Sequence, residues 1–332
     1  MIQINDAYSA GFADVLCLVT GGAGFIGSHL VEALVGRGAR VRVLDDFSAG
    51  RRENLASVAA QIELIEGDVA DPAVAEGALA GCDYVFHLAA VASVQASIEE
   101  PQRTHRVNAG GTWNVLEGAR RLGARRVVYA SSAAVYGDHV ALPLGEDLVP
   151  RPLSPYAADK AAGEMACLAF HASYGLPTVA LRFFNVYGPR QDPRSPYSGV
   201  ISIFAGRMAQ GQAPVIFGDG EQTRDFVHVA DVVRAMLLAC EREAAAGGVF
   251  NIAGGGQTSV RELAEVLNRV LDTGLASTFA AGRPGEVRFS EGDTRRAREA
   301  LAWEARVLLG EGLSDLVRWL ARGTDLGATG RR

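Results

Sequence analysis

A glycine-rich turn near the N-terminus constrains the fold of this chain more than any other feature. An apolar, β-branched run, Val15–Val19, predicts a buried strand, and an amphipathic run from Ser28 predicts a helix after the turn. Between them, Gly22, Gly24 and Gly27 have GxGxxG spacing. Glycines let the backbone approach a pyrophosphate, and the following helix directs free N–H groups and a positive dipole end toward it. The segment therefore predicts a dinucleotide-binding unit.

An acidic residue follows at the distance that such a unit requires. The next apolar run, Val41–Leu44, ends at Asp45. A carboxylate at this position accepts hydrogen bonds from the ribose hydroxyls of adenosine and repels a 2′-phosphate, so it favours NAD over NADP. Arg51 and Arg52 lie a few residues further on and point weakly in the opposite direction.

Strand-like and helix-like runs alternate through the first half of the chain. The predicted strands are Val15–Val19, Val41–Leu44, Ile62–Ile65, Tyr84–Leu88, Val127–Tyr129 and Thr178–Leu181. The predicted helices between them are Ser28–Gly36, Val74–Leu79, Thr104–Arg121 and Tyr156–Tyr174. This alternation predicts an α/β fold with a Rossmann-type, doubly wound parallel sheet, whose ligands bind at the carboxyl ends of the strands.

The pattern changes after about Asn185. Loops rich in Gly and Pro then separate three helical runs, Val200–Gln210, His228–Glu241 and Ser259–Leu271. We expect a dinucleotide-binding domain at residues 1–185, to which the chain returns around residues 226–250. Residues 186–321 are expected to form a smaller C-terminal α/β lobe that binds the substrate, and residues 322–332 a frayed tail.

The composition narrows the class of protein. The chain has 332 residues, of which 48% are hydrophobic and 21% charged, as in a folded globular protein. A net charge of −6 without a basic run argues against a nucleic-acid partner. No histidine or cysteine has metal-ligand spacing, so no metal is expected. Four scattered cysteines, no basic leader and no stretch of about 18 apolar residues predict a cytoplasmic protein without a membrane span.

Tyr156 and Lys160 are four residues apart, on one face of a predicted helix. A tyrosine with a pKa of about 10 is a poor base at neutral pH, and a neighbouring ammonium lowers that pKa by stabilising the phenolate. A decrease of about three units, worth about 4 kcal/mol, would make Tyr156 a competent general base. Ser132 ends a buried strand, from which it could hydrogen-bond the same substrate hydroxyl. Taken singly, such a pair is common by chance and such a serine is usually a turn residue.

The glycine turn, Asp45, Ser132, Tyr156 and Lys160, in this order, make the chain resemble the extended short-chain dehydrogenase/reductase superfamily. Within it, the chain is most similar to the UDP-hexose 4-epimerases, especially those acting on N-acetylated sugars. The likeness extends from about residue 15 to residue 321. The motifs that carry it include Thr20–Leu30, Gly67-Asp68-Val69, Phe86-His87-Leu88-Ala89-Ala90, Val107-Asn108, Leu181–Pro193 and Gly218–Phe226.

The resemblance implies a role for each matching residue. Ser132, Tyr156 and Lys160 would be catalytic, with Lys160 holding the cofactor ribose and lowering the pKa of Tyr156. The residues implied in NAD binding are Gly21, Gly24, Phe25, Ile26, Gly27, Asp45, Asp46, Ser48, Asp68, Val69, Leu88, Ala89, Ala90, Asn108, Tyr156 and Lys160. The residues implied in substrate binding are Ser132, Asn185, Val200, Phe217, Arg224, Arg283, Glu286 and Ser290. His87 is expected to pack in its strand rather than to act in catalysis.

Among the substrate-binding residues, Arg224 and Arg283 are suited to gripping a diphosphate, and Phe217 is expected near the uracil. At Ser290, members of the family that are restricted to glucose and galactose tend to carry a bulky residue. The serine therefore implies room for an N-acetyl group.

The implied reaction is NAD-dependent inversion at C4 of a UDP-hexose, through a 4-keto intermediate. The substrates would be UDP-GlcNAc and UDP-GalNAc, UDP-Glc and UDP-Gal, or both pairs. A UDP-glucuronate 4-epimerase is the nearest alternative, and a non-catalytic NAD-binding protein is the most distant. A 4,6-dehydratase is disfavoured because Ala133 and Ala134 occupy the positions of its Asp-Glu pair. Relatives pair through two helices, here Thr104–Arg121 and Tyr156–Tyr174, which implies a homodimer.

Overall fold

The computed structural model describes Ile2 and residues 11–192, 199–282 and 287–328, with side chains as far as Arg322. The strands are β1 Leu16–Thr20, β2 Arg40–Asp45, β3 Ile62–Glu66, β4 Tyr84–His87, β5 Arg126–Ser132, β6 Thr178–Phe183, β7 Asn185–Tyr187, β8 Val215–Phe217, β9 Thr223–Arg224, β10 Phe226–His228, β11 Gly248–Ile252, β12 Thr258–Ser259 and β13 Thr278–Ala280. The helices are α1 Phe25–Val35, α2 Pro72–Leu79, α3 Val94–Glu99, α4 Pro101–His105, α5 Gly111–Leu122, α6 Pro155–Tyr174, α7 Val200–Met208, α8 Val229–Glu241, α9 Val260–Leu271, α10 Arg295–Leu301 and α11 Leu309–Ala328.

Seven strands form one parallel sheet in the order β3-β2-β1-β4-β5-β6-β11. The strand order reverses between β1 and β4, which end at Thr20 and His87. Ligands of doubly wound sheets bind in the crevice at such a reversal. The prediction of a Rossmann-type parallel sheet is confirmed. The strand β11 was not predicted, and it extends the sheet beyond β6.

Helices cover both faces of this sheet and bury its apolar side chains. On one face, α1 and α8 pack over the strands, with Leu30, Leu34 and Met236 fully buried. On the other face, α2, α5 and α6 supply buried residues such as Leu79 and Leu116. The near-continuous apolar strands follow from this burial on both sides.

A second, smaller core lies in the C-terminal half. There α7, α9 and α11 pack together around Phe204, Leu263, Leu267 and Leu316. The accompanying strands form three two-stranded sheets, β7 with β10, β8 with β13 and β9 with β12. The strand β7 follows the carboxyl end of β6, and it pairs with β10, which leads into the start of α8. This lobe therefore sits at the carboxyl edge of the large sheet.

Two regions differ from the sequence-based expectations. The helix predicted at Thr104–Arg121 is divided into α4 and α5 by a π-helical turn at Arg106–Gly110. Such turns are frequent at functional sites, and this one carries Asn108. At the other end, α11 continues to Ala328, past Arg322, where the frayed tail was expected to begin. Residues 329–332 lie outside the described part of the chain.

The described residues form neither a membrane-spanning helix nor a cluster of metal ligands. In this part of the chain, the helices are too short or too polar to cross a membrane. Nor do three or more His, Cys, Asp or Glu side chains come together there as metal ligands would. All four cysteines are reduced and buried.

Candidate active site

The turn between β1 and α1 has the shape of a phosphate cradle. Gly21 has a φ of +69°, and a Cβ there would lie 2.8 Å from the backbone nitrogen of Ala89. A Cβ on Gly27 would lie 2.2 Å from the carbonyl oxygen of Gly21, so only glycine fits. The helix α1 begins at Phe25, and no described side chain caps its N-terminal N–H groups. These groups face the carboxyl edge of the sheet and suit a phosphate.

Asp45 ties this cradle to the loop after β2. Its carboxylate is buried and accepts hydrogen bonds from the backbone N–H groups of Ala23 and Phe47, both at 2.9 Å. Burial raises the pKa of this carboxyl, and the two N–H donors oppose that effect. Next to it, the Asp46 carboxylate accepts hydrogen bonds from the backbone and the hydroxyl of Ser48, at 2.9 and 2.6 Å.

The two arginines after Asp45 both have acidic partners. Arg51 pairs with Asp192, and Arg52 pairs with Glu66. The guanidinium of Arg52 also lies 4.2 Å from the centre of the Phe47 ring. These contacts weaken the argument for NADP, because each cation is already neutralised.

A buried hydrogen-bond chain fixes the loop that follows β4. Thr112 donates its hydroxyl proton to the carbonyl of Asn108 at 2.5 Å, so it accepts from Nε2 of His87 at 3.0 Å. Nδ1 of His87 then accepts from the Thr20 hydroxyl at 2.7 Å. Oγ1 of Thr20 in turn accepts from the backbone N–H groups of Leu88 and Ala89, both at 3.2 Å. Burial lowers the pKa of His87 to about 3, so the ring is neutral and structural, as its position in the strand predicted.

The loop after β3 and the π-helical turn complete this wall of the crevice. Asn108 holds the backbone of Val91 through both atoms of its amide, at 2.8 and 3.3 Å. Burial opposes ionisation of Asp68, but the Ala70 N–H and the Arg106 guanidinium outweigh it and hold the pKa of Asp68 low. Asn114 donates to the carbonyl of Val69 at 3.1 Å.

Ser132, Tyr156 and Lys160 come together at the carboxyl end of β5. Tyr156 is in the first turn of α6, whose N-cap Ser154 accepts from the N–H of Ala157 at 3.2 Å. Ser132 is the last residue of β5, and its hydroxyl lies beside the Tyr156 phenol, whose pKa it lowers. Nζ of Lys160 lies 5.9 Å from the centre of the Tyr156 ring. The structure therefore assembles the three residues predicted to be catalytic.

Burial dominates the pKa values of this group. It raises the pKa of Tyr156, and the Ser132 hydroxyl beside the phenol opposes only part of that effect. Burial also lowers the pKa of Lys160 to about 8, and its ammonium donates to the carbonyl of Ala130 at 2.7 Å rather than approaching the phenol closely. The lowering of the Tyr156 pKa by Lys160 therefore stays a prediction, and it has to outweigh this burial.

A cavity of about 430 Å³ opens in the smaller lobe. Four of the residues predicted to bind substrate line it: Asn185, Val200, Phe217 and Arg224. The other walls come from the helix α7, the strand β8, the loop before β9 and the start of α9. Their residues are Ile203, Phe204, Arg207, Val215, Gln222 and Val260. An aromatic and aliphatic lining with a few polar groups suits a nucleotide base and its attached phosphates.

The other predicted substrate residues are placed differently. Ser290 is buried, on a segment held by hydrogen bonds from Thr223 N–H to the Arg288 carbonyl and from Leu144 N–H to the Glu291 carbonyl. It is not among the described residues that line the cavity. Arg283 and Glu286 lie outside the described residues.

Comparison with known proteins identifies the family of this chain. Residues 17–253 match the NAD dependent epimerase/dehydratase family. The chain belongs to this family. The prediction of NAD as cofactor is confirmed, and a structurally similar UDP-glucose 4-epimerase from Thermus thermophilus, 37% identical with a TM-score of 0.83 over 92% of this chain and 99% of that one, was solved with NAD.

Relatives within the family include UDP-sugar 4-epimerases. A UDP-glucose 4-epimerase from Mycolicibacterium smegmatis is 42% identical over 91% of this chain and 97% of its own length. A UDP-N-acetylglucosamine 4-epimerase from Methanobrevibacter ruminantium, solved with UDP-N-acetylmuramic acid, has a TM-score of 0.90 at 38% identity, covering 94% of this chain and 100% of that one. Other relatives in the family are named as UDP-glucuronic acid decarboxylase and dTDP-glucose 4,6-dehydratase, each 36% identical.

The residues of this epimerase/dehydratase family member fit a bound NAD. The glycine cradle leaves no room for a Cβ at Gly21 or Gly27. The N-terminus of α1, which follows the cradle, offers backbone N–H groups to phosphates. The Asp45 carboxylate lies at the end of β2, beside this cradle, where a ribose can be recognised.

Sequence reasoning missed a buried ion pair behind the catalytic group. Glu164 on α6 and Arg182 on β6 form this pair, and both side chains are almost fully buried. The signal was present in the sequence, because Glu164 follows Lys160 by four residues and so shares its helix face. An arginine within a strand of apolar residues, as in Leu181-Arg182-Phe183, also indicates a buried partner.

Proposed function

We propose that this protein catalyses the NAD-dependent inversion of configuration at C4 of a UDP-hexose. One observation carries the proposal: the catalytic group and the cavity lie at the same edge of the sheet. Ser132, at the end of β5, pairs in register with Phe183 of β6. Two residues later the chain reaches Asn185, which lines the cavity. A nucleotide held in the cavity by Phe217 would therefore extend its sugar toward Tyr156.

The roles of the three catalytic residues follow from their contacts. Tyr156, in its phenolate form, takes the proton from O4 of the sugar. Ser132, whose hydroxyl lies beside the phenol, orients the same hydroxyl of the substrate. Lys160 provides the positive charge that stabilises the phenolate. A bound NAD, held by the glycine cradle and Asp45, would supply reversible hydride exchange with C4 of the sugar.

We further propose that the N-acetylated pair, UDP-GlcNAc and UDP-GalNAc, is accepted beside UDP-Glc and UDP-Gal. The small side chain of Ser290 supports this proposal, as do relatives named for both kinds of substrate. A uronic acid substrate is the second candidate, favoured by the UDP-glucuronic acid decarboxylase relatives. Ala133 and Ala134 speak against dehydration, because they offer no acid or base.

A panel of UDP-sugars tests these proposals. The purified protein is incubated with UDP-Glc, UDP-GlcNAc, UDP-glucuronate and, as a nucleotide control, dTDP-glucose. Proton NMR of the products distinguishes inversion at C4 from decarboxylation and from a 4-keto-6-deoxy product. Inversion of neither UDP-Glc nor UDP-GlcNAc would overturn the proposed function. Release of a pentose product from UDP-glucuronate would establish the decarboxylase instead.

We also propose a homodimer formed through α5 and α6. Trp113 on α5 is 57% exposed, and Met165 and Tyr174 on α6 are 50% and 59% exposed. Large apolar side chains exposed on neighbouring helices are typical of an interaction surface. Light scattering should give twice the mass of the chain, and Trp113→Asp should shift that mass toward the monomer. A monomeric wild type would contradict the proposal.

A further inference from the structure

Glu164 lies one helical turn beyond Lys160 and two turns beyond Tyr156, so the three side chains share one face of α6. The Glu164 side chain is 0% exposed. Its Oε1 accepts from the hydroxyl of Ser131 and from Nε of Arg182, the latter at 2.9 Å. Its Oε2 accepts from Nη2 of Arg182 at 2.7 Å. The carboxylate is therefore held rigidly against the strand end that carries Ser132.

Arg182 is itself immobile. It pairs in register with Ser131 across β5 and β6, and its guanidinium lies 4.7 Å from the centre of the Tyr136 ring. The Tyr136 hydroxyl donates to Oδ1 of Asn251 at 2.7 Å. The bidentate contact with Glu164 raises the pKa of Arg182 despite its burial, so the cation is permanent. The Glu164 side chain is therefore paired with a permanent cation.

Lys160 is a third buried charge in this group, and several titratable groups surround it. Those on its own helix are Tyr156, Asp159, Glu164 and Cys167. From the sheet, the Tyr129 ring of β5 lies 5.0 Å from Nζ, and His87 of β4 also faces it. Of the two carboxylates, Asp159 is shared with His105, whose Nδ1 lies 2.7 Å from its Oδ1. Glu164 is therefore the more deeply buried and more fixed anion near Lys160.

We propose that Glu164 is a positioning residue that keeps Lys160 in its ammonium form and fixes the strand end bearing Ser132, while Arg182 holds Glu164 in place. The inference deepens the proposed function and rests on it for the catalytic role of Lys160. Burial alone works against the ammonium and lowers the pKa of Lys160 to about 8, while the Glu164 charge acts in the opposite direction. Without that charge, Lys160 would lose its proton within the neutral range and could no longer stabilise a phenolate.

The sequence provides a direct measurement, because Lys160 is the sole lysine of the chain. Protein labelled with 15N- and 13C-lysine gives one lysine side-chain signal by NMR, which can be titrated without any activity assay. In the wild type, we expect titration near pH 8. In Glu164→Gln, we expect at least a roughly tenfold lower proton affinity. Glu117→Gln, an exposed change on α5, controls for the loss of one negative charge and should leave the titration unchanged.

A second variant guards against misfolding. Glu164→Gln leaves Arg182 buried without its partner, which is destabilising. The double variant Glu164→Gln/Arg182→Gln removes both charges of the pair. Because loss of the Arg182 cation opposes loss of the carboxylate, it should lower the proton affinity of Lys160 less than Glu164→Gln does. An unchanged lysine titration in a folded Glu164→Gln, or a proton affinity above that of the wild type in the double variant, would overturn the proposal.

Activity supplies the final test. A structural defect lowers kcat at all pH values, whereas loss of the Lys160 proton removes activity selectively at alkaline pH. In Glu164→Gln, the alkaline limb of the kcat profile should therefore move to lower pH together with the NMR titration. A uniform fall in kcat would reject the positioning role. A wild type that inverts no UDP-sugar would instead refute the proposed function, and the lysine titration would still report on Glu164.

Discussion

The hydroxyl group of Ser132 lies beside that of Tyr156 where β5 ends and α6 begins. One comes from the sheet and the other from a helix, so their proximity depends on the packing of α6 against β5. This arrangement gives the phenol a defined direction before any substrate is present. Substitutions in this pair can therefore show whether a loss of activity comes from the catalytic chemistry or from a folding defect.

Tyr156→Phe should remove the base and leave the rest of the site intact. We expect kcat to fall by about two to four decades, since general-base catalysis contributes about that much. The melting temperature and the amount of bound NAD should remain close to wild type. Tyr174→Phe, at the exposed end of the same helix, is the matched control and should retain full activity. Near wild-type turnover in Tyr156→Phe would eliminate this residue as the base.

Nucleotide extracted from the purified protein tests the role of Asp45. Its buried carboxylate at the end of β2 predicts NAD or NADH in the extract, measured by chromatography after denaturation. Asp45→Ala should weaken NAD retention, because a charge-assisted hydrogen bond is worth about 1.5–3 kcal/mol. Glu53 is exposed in the neighbouring segment, and Glu53→Ala should leave NAD retention unchanged. An extract containing mainly NADP would show that the preference is wrong.

The parallel sheet and the grouping of Tyr156 with Lys160 could be predicted because their signals are local. A glycine turn, a short apolar run and the spacing of Tyr156 and Lys160 each express a requirement that neighbouring residues can meet. The strand β11 could not be predicted in this way, because its place beside β6 is set by contacts with residues far along the chain. The ion pair of Glu164 with Arg182 could not be predicted for the same reason. The two residues are 18 positions apart, and only the packing of α6 against β6 brings them together.

Burial of Tyr156 could not be predicted from its spacing to Lys160. The spacing to Lys160 predicts an electrostatic lowering of its pKa, but not the burial that opposes it. The cavity shows a similar limit. Resemblance pointed to Phe217 and Arg224, while Arg207 was missed because its place on the cavity wall depends on how α7 packs.

Buried neutral histidines should make the protein unstable in acid. Burial lowers the pKa of His29 to about 4, and its Nε2 donates to the carbonyl of Pro189 at 2.9 Å. Between pH 6.5 and about 4, the unfolded chain therefore binds a proton that the folded chain does not. Stability that is present above pH 6.5 is lost as the pH falls through this window, by about 2 kcal/mol at pH 5 for this group.

Urea denaturation from pH 7.5 to pH 5 measures this loss. His29→Gln keeps an N–H donor for Pro189 but does not titrate, so its stability should fall less steeply with pH than that of the wild type. If the free energy of unfolding fell equally steeply with pH in both proteins, His29 would not be a source of the acid instability.

Phe12 should contribute more to stability than its position before β1 indicates. It is fully buried and packs edge-on against Tyr84, with ring centres 6.0 Å apart, and against Phe86 at 6.4 Å. Phe12→Ala should therefore lower the free energy of unfolding by about 3–5 kcal/mol. Phe279→Ala, with a half-exposed ring, should lower it much less. Similar unfolding midpoints for the two variants would mean that Phe12 is not part of the core.

Substrate choice should depend on the volume at Ser290. The side chain is buried, and its segment is hydrogen-bonded to β9 and to the loop containing Leu144, so a larger residue cannot turn away freely. Ser290→Tyr should exclude UDP-GlcNAc and UDP-GalNAc by steric conflict and spare UDP-Glc and UDP-Gal. Ser290→Ala, which preserves the space, should turn over both pairs. The measurement is kcat/KM for each sugar by NMR. Equal loss of both pairs in Ser290→Tyr would indicate general damage, and a wild type inactive on the acetylated sugars would place the wall of the sugar pocket elsewhere.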